Sequence, residues 1–110
     1  MRNALRYSLQ GLREAFRCEG AFRVEVLLAC ILIPAAFFVS GEAVVRAVLI
    51  GSVLMLMVTE LLNSGIEAAV DRISKERHEL AKRAKDIGSA AVFVAVINVA
   101  VVWLLILFAQ

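Results

Sequence analysis

Three long apolar runs, each bordered by charge, organise the chain. The first extends from Ala21 to Val39, with Arg23 and Glu25 near its start and an uncharged stretch from Val26 onward. The second, Ala43 to Thr59, carries Arg46, and the third, Ala90 to Ala109, has no ionisable residue. A hydrocarbon core of about 30 Å takes roughly 20 residues of helix, within a range of about 17–25. The third run meets that length outright, and the other two meet it when their charged ends lie at the interfaces. The pattern predicts an all-α integral membrane protein of one domain over residues 1–110. Its transmembrane helices fall at about 22–40, at 43–72 including a cytoplasmic extension, and at 86–109. Pro34 lacks a backbone N–H, which predicts a kink in the first of them.

A different period precedes the first run. Leu5, Leu9, Leu12 and Phe16 follow i, i+4, i+7, i+11 spacing and share one narrow helical face. Arg2, Arg6, Gln10, Arg13 and Arg17 cluster on an adjacent flank. This predicts an N-terminal amphipathic surface helix at about 2–18, lying in the membrane interface with its arginines toward phosphates. Two roles fit it equally: an anchor for anionic lipid, or an anchor that also caps an active site. The arginine-rich, amphipathic start has no apolar core of the kind a cleavable signal peptide carries.

Composition agrees with a membrane chain: 62% of the 110 residues are hydrophobic and the mean hydropathy is +0.86. The net charge of +2 is too small to argue for nucleic acid. Placement of the charges is more informative. Arg2, Arg6, Arg13, Arg17 and Arg23 precede the first apolar core, and Arg72, Lys75, Arg77, Lys82, Arg83 and Lys85 lie between the second and third runs. Arg46 is left for the other side. The positive-inside rule then puts the N-terminus and the second loop in the cytoplasm and the C-terminus outside. Ser40 to Glu42 forms a tight outer hairpin, Trp103 suits the outer interfacial belt, and Asn98 suits an interhelical hydrogen bond. Cys18 and Cys30 read as small apolar residues, with no disulfide between them.

The unusual stretch is TELLNSGIEAAVDR, Thr59 to Arg72. As a continuation of the second helix it puts Glu60, Asn63, Glu67 and Asp71 within roughly 80° of one another. The seventeen residues from Ala43 to Thr59 rise only about 26 Å. Glu60 therefore sits just inside the cytoplasmic boundary, and Glu67 and Asp71 lie at headgroup level or beyond. An ionisable group at such depth is costly and marks a functional site by default. For Asp71, with Arg72 and Lys75 following, ordinary solvation is the simpler account. Three polar groups at the headgroup plane suit chemistry on the polar end of a lipid. Two carboxylates about two turns apart can divide labour, one as general base and the other as an oxygen ligand for Mg²⁺. In RAKDIGSAAV, Lys85 offers charge for a phosphate, Asp86 a ligand for metal or ribose, and Gly88 to Ala91 a surface for close helix approach. An interfacial cation and a helix N-terminal acid are the plainer readings of Lys85 and Asp86. Phosphate-binding GxxxxGK[ST] and GxGxxG loops, kinase HRD and DFG elements and zinc motifs are all absent. On residues alone the choice stays open between a membrane-interface enzyme and an ion-coupled transporter.

The segments EGAFRVE (Glu19 to Glu25), ELLNSGIEAAVDRI (Glu60 to Ile73) and HELAKRAKDIGSAAV (His78 to Val92) closely resemble the prokaryotic diacylglycerol kinase family. The resemblance extends over nearly the whole chain. It implies a homotrimeric bundle in the bacterial inner membrane, with active sites shared between subunits. It also implies transfer of the γ-phosphoryl of MgATP to the hydroxyl of diacylglycerol, giving phosphatidic acid. Carried over residue by residue, Glu60 is the expected catalytic base, and Glu19 and Glu67 the carboxylates that hold Mg²⁺ on ATP. Tyr7, Glu76, Arg77, His78, Lys85 and Asp86 are the further expected nucleotide contacts. Arg23, Glu25, Asn63 and Ser89, with Glu60, are expected to line the lipid site. Two positions depart from the family pattern: Arg2 or Arg6 replaces an arginine that some members carry further upstream, and Val24 stands where a relative has glutamine.

A sibling activity on undecaprenol is the nearest rival. A small multidrug exporter needs four spans and a deep glutamate in the first, whereas three spans are predicted here. A non-catalytic scaffold has no use for the Glu60, Asn63, Glu67 stripe.

Overall fold

The computed structural model describes residues 2–73 and 79–109, with Arg2 described by its backbone alone. Among the described residues there are four elements, all α-helices: α1 (Arg2–Cys18), α2 (Gly20–Val39), α3 (Ala43–Ile73) and α4 (Glu79–Ala109). Three of them, α2, α3 and α4, are long and apolar enough to cross a membrane. The molecule is 51 Å along its longest axis, so the longer helices extend beyond a hydrocarbon layer of about 30 Å.

The connections are short. Glu19, in extended conformation, separates α1 from α2. Its N–H donates to the Ala15 carbonyl at 2.8 Å, closing α1, and its own carbonyl accepts from the Arg23 N–H, opening α2. Ser40, Gly41 and Glu42 join α2 to α3. The Glu42 N–H donates to Ser40 Oγ, and the Arg46 guanidinium reaches back to donate to the carbonyls of Ser40 and Phe37. That guanidinium also lies 4.8 Å from the centre of the Phe37 ring. The one cation predicted for the outer side thus satisfies the exposed carbonyl end of α2.

Helix α3 is the middle element. It packs most extensively on α4, then on α2, while α1 meets α2. The core comprises Ala29 and Ala36 of α2, Leu49 and Val53 of α3, and Trp103 of α4, flanked by Leu32, Ile33, Val45, Val99 and Ile106. Alanines on α2 let the backbones approach closely, which is how helices associate where lipid removes the hydrophobic drive.

Helix α2 is continuous through Pro34. Two expectations change. Trp103 is buried instead of facing an outer interfacial belt, and its indole N–H donates to Ser52 Oγ at 3.2 Å, which in turn donates to the Leu49 carbonyl. A buried indole N–H needs such an acceptor. Helix α4 begins at Glu79, so Lys85 and Asp86 lie on its second turn instead of at its N-terminus. Asn98 is exposed on the single chain, and Cys18 and Cys30 are both free thiols.

Candidate functional site

Helix α3 brings its polar groups to the end that adjoins the start of α2 and the start of α4. Glu60 and Asn63 are buried, at 6% and 8% exposure, although both are strongly polar. From α2, Glu25 is buried at 7% and its carboxyl adjoins that of Glu60. Ser64, one turn further along α3, donates its hydroxyl to Glu60 Oε2 at 3.4 Å. Two buried carboxyls side by side, one of them with an oxygen lacking any hydrogen-bond partner (Glu25 Oε1), form a costly arrangement for a purely structural contact.

About two turns beyond Glu60 on α3, Glu67 is half-buried. Its carboxylate interacts electrostatically with Glu19, Glu60 and Asp71 and with the Lys85 ammonium. Lys85 reaches across from α4 to Asp71, with Nζ and Oδ1 2.5 Å apart. One acidic face on α3 is therefore flanked by Glu25 and Glu19 from the start of α2 and by Lys85 from α4. Among the described residues, no three His, Cys, Asp or Glu side chains form a ready-made cation cage. Glu19 and Glu67 are near enough to interact electrostatically, and a pair of carboxylates is chemically suited to Mg²⁺, which commonly takes one or two and completes its shell with waters and phosphate oxygens.

A groove of about 700 Å³ runs between α1 and α3, lined by Ser8, Gly11, Ala15, Glu19, Leu61 and Ser64 among others. It opens beside the Ser64–Glu60 contact and is largely apolar in chemistry.

The other sequence-predicted residues are dispersed. Asp86 lies about 100° round α4 from Lys85. It pairs with Lys82 at 2.7 Å on an exposed flank, away from the acidic face. Arg23 donates through Nη1 to the carbonyls of Phe16 and Arg17, and so caps the C-terminal end of α1. Tyr7 and Ser89 are exposed. Glu76, Arg77 and His78 lie outside the described residues.

Comparison with known proteins decides the family. The profile of prokaryotic diacylglycerol kinase matches residues 6–107. The chain belongs to the prokaryotic diacylglycerol kinase family. It is accordingly an enzyme of the lipid-kinase class. A diacylglycerol kinase of Haemophilus influenzae is 56% identical over 106 residues, which is 96% of this chain and 90% of that protein. One of Pseudomonas aeruginosa is 53% identical over 105 residues, 96% of this chain and 85% of its own. One of Escherichia coli K12 is 45% identical over 104 residues, 94% of this chain and 85% of its own.

Two features of the site escape a reading of sequence. The Ser64–Glu60 hydrogen bond has a local signal, its i, i+4 spacing. The Glu25–Glu60 contact has none, because it depends on how α2 docks on α3.

Proposed function

We propose that the chain transfers the γ-phosphoryl group of ATP to the free hydroxyl of diacylglycerol, producing phosphatidic acid and ADP. The observation that carries this reading is the buried Glu60 carboxylate, with Glu25 beside it, on a helix whose next turns present Glu67, Asp71 and Lys85. The acceptor is a lipid alcohol and the donor comes from water, so a catalytic base just inside the interface and charged groups just outside it suit both substrates.

In the reaction the lipid oxygen attacks the γ-phosphorus, a new O–P bond forms, and the bond to the β,γ-bridging oxygen breaks with ADP leaving. Glu60 takes the hydroxyl proton. Lys85 exchanges its Asp71 partner for phosphate oxygens and offsets charge on the transferring group. Glu19 and Glu67 would hold Mg²⁺, whose charge would offset that of the phosphates. Asn63 orients the acceptor, and Ser64 holds the Glu60 carboxylate toward the groove between α1 and α3, which has room for the glycerol end of the lipid. Tyr7 and Asp86, with Glu76, Arg77 and His78, complete the nucleotide contacts, and Arg23, Glu25 and Ser89 the lipid contacts.

Helix α1 lies in the interface on its Leu5, Leu9, Leu12 and Phe16 face, all four of which are exposed on the chain. Charge placement supports an inner-membrane protein with the N-terminus in the cytoplasm and the C-terminus outside. The exposed Asp86, Ser89 and Tyr7 support a homotrimer in which one subunit's contacts complete a neighbour's site.

The test is transfer of labelled γ-phosphate by purified protein in lipid micelles, with diacylglycerol, undecaprenol or no acceptor in parallel and Glu60→Gln as control. Label on diacylglycerol from the wild type alone is the expected result. Label on undecaprenol alone moves the chain to the sibling activity, and transfer to neither removes the kinase reading.

A further inference from the structure

Six glycines occur in the chain, and five would accept a side chain with little consequence. A Cβ at Gly11, Gly41, Gly51 or Gly65 meets nothing within 4 Å, and at Gly20 it makes an ordinary contact with Arg23. Gly88 is different. It is the one glycine of α4, it is buried, and the space a Cβ would occupy is taken by the Asn63 amide of α3. Oδ1 lies within that space, Cγ is 3.3 Å from the Cβ position and the Asn63 Cβ 3.9 Å. The steric relation holds whichever end of the amide faces the notch.

Asn63 is itself nine-tenths buried, and its Oδ1 has no hydrogen-bond partner. A buried carbonyl oxygen without a donor is unfavourable, so hydrogen bonding does not account for its placement. Shape does: the missing side chain at Gly88 leaves a notch into which the amide fits. The other branch of the planar amide stands farther from the notch than the Asn63 Cβ.

We infer that Gly88 is a positioning residue for the kinase reaction: its notch holds the Asn63 amide in one orientation between Glu60 and Lys85. This rests on the reading of Asn63 as part of the acceptor site. Glu60 lies three residues before Asn63 on α3, and Lys85 three residues before Gly88 on α4. Glu60 and Lys85 thus each lie within one helical turn of the notch, on the two helices that meet there. A Cβ at position 88 must either rotate the Asn63 amide out of place or push α4 away and shift Lys85 with it. Misplacement of about 1 Å can cost roughly a hundredfold in rate.

The experiment is a double-mutant cycle of Gly88→Ala, Asn63→Ala and the double variant, read in kcat, in KM for lipid and for ATP, and in thermal stability in detergent. Gly88→Ala is expected to lower kcat roughly tenfold to a hundredfold with KM for ATP nearly unchanged, and to lower the melting temperature. In the double variant the new methyl has room, so stability is restored above that of Gly88→Ala, while kcat stays at the value of Asn63→Ala alone. If Gly88→Ala does not fold, Asn63→Ala or Asn63→Ser in that background must restore folding, and failure of both overturns the proposal. Losses in kcat that multiply overturn it, because independent sites add in free energy. Coupling in stability without coupling in kcat also overturns it and leaves packing alone. The stability arm needs no turnover, so failure of the kinase reading itself appears separately, as a wild type that phosphorylates no lipid.

Discussion

Lys85 Nζ stands 2.5 Å from Asp71 Oδ1, tying the second turn of α4 to the water-facing end of α3. Both side chains remain substantially exposed, at 41% and 64%. A pair so open to solvent contributes little to stability, because water screens the attraction and two long side chains lose freedom. Its significance is positional: the cation available for a phosphate is held beside the acidic face.

Lys85→Met is therefore expected to reduce kcat by about 10²–10³, as removal of a charge-stabilising group from a transition state does. Asp71→Asn is expected to leave the melting temperature nearly unchanged and to change KM for ATP by less than tenfold. Steady-state kinetics with ATP varied at saturating diacylglycerol checks both. A Lys85→Met enzyme with wild-type kcat removes the phosphate role.

Glu60→Gln keeps the shape of the side chain and removes its capacity to take a proton. Turnover is expected to fall by about 10²–10⁴, the usual contribution of a positioned general base. The oligomer measured by light scattering in detergent should be unaltered. Turnover near the wild-type rate contradicts the assignment.

Glu67→Ala takes one of two carboxylates from the proposed Mg²⁺ site. Loss of an outer-sphere partner alone commonly costs about 10–100-fold in metal affinity, and loss of a ligand should cost no less. The midpoint of a Mg²⁺ titration at fixed ATP is expected to rise at least about tenfold, and Mn²⁺ bound with nucleotide, followed by magnetic resonance, should weaken in parallel. An unchanged titration removes Glu67 as a ligand.

The sequence carried much of this architecture and little of its lateral order. The three apolar runs mark α2, α3 and α4 because burying a backbone in lipid requires a long, uninterrupted helix. Glu60, Asn63, Glu67 and Asp71 fall on one face by helical period alone. The start of α4 at Glu79 was not legible, since the stretch before Ile87 is polar and gives no apolar period to read. Nor was the divergence of Lys85 and Asp86, which follows once both lie inside a helix. Trp103 carries an interface signature by residue type, yet it is buried because Ser52, about fifty positions away, offers an acceptor. Arg23 similarly turns out to serve the end of α1, a contact set by the bend at Glu19.

Trp103→Phe tests that remote tie. The ring is retained and the N–H lost, leaving Ser52 with its Leu49 acceptor. Stability in detergent is expected to fall by about 0.5–1.5 kcal/mol. Ser52 lies eight residues, about 12 Å of helix, from Glu60, so kcat should be unaffected. A thermal melt alongside the kinase assay reads both, and a fall in kcat without a loss of stability would link the two ends of α3 in a way its packing does not suggest.

Helix α3 runs for 31 residues without a break. At 1.5 Å per residue it is a rod of about 46 Å, against roughly 30 Å of hydrocarbon. Glu60 is a fixed mark on that rod, seventeen residues or about 26 Å along it from Ala43. On the proposed reaction the enzyme gauges height: an alcohol that rides at the level of this mark is within reach, and one anchored a helical turn higher or lower is not. Choice among acceptors then falls on where in the bilayer a hydroxyl floats, more than on the tails that carry it.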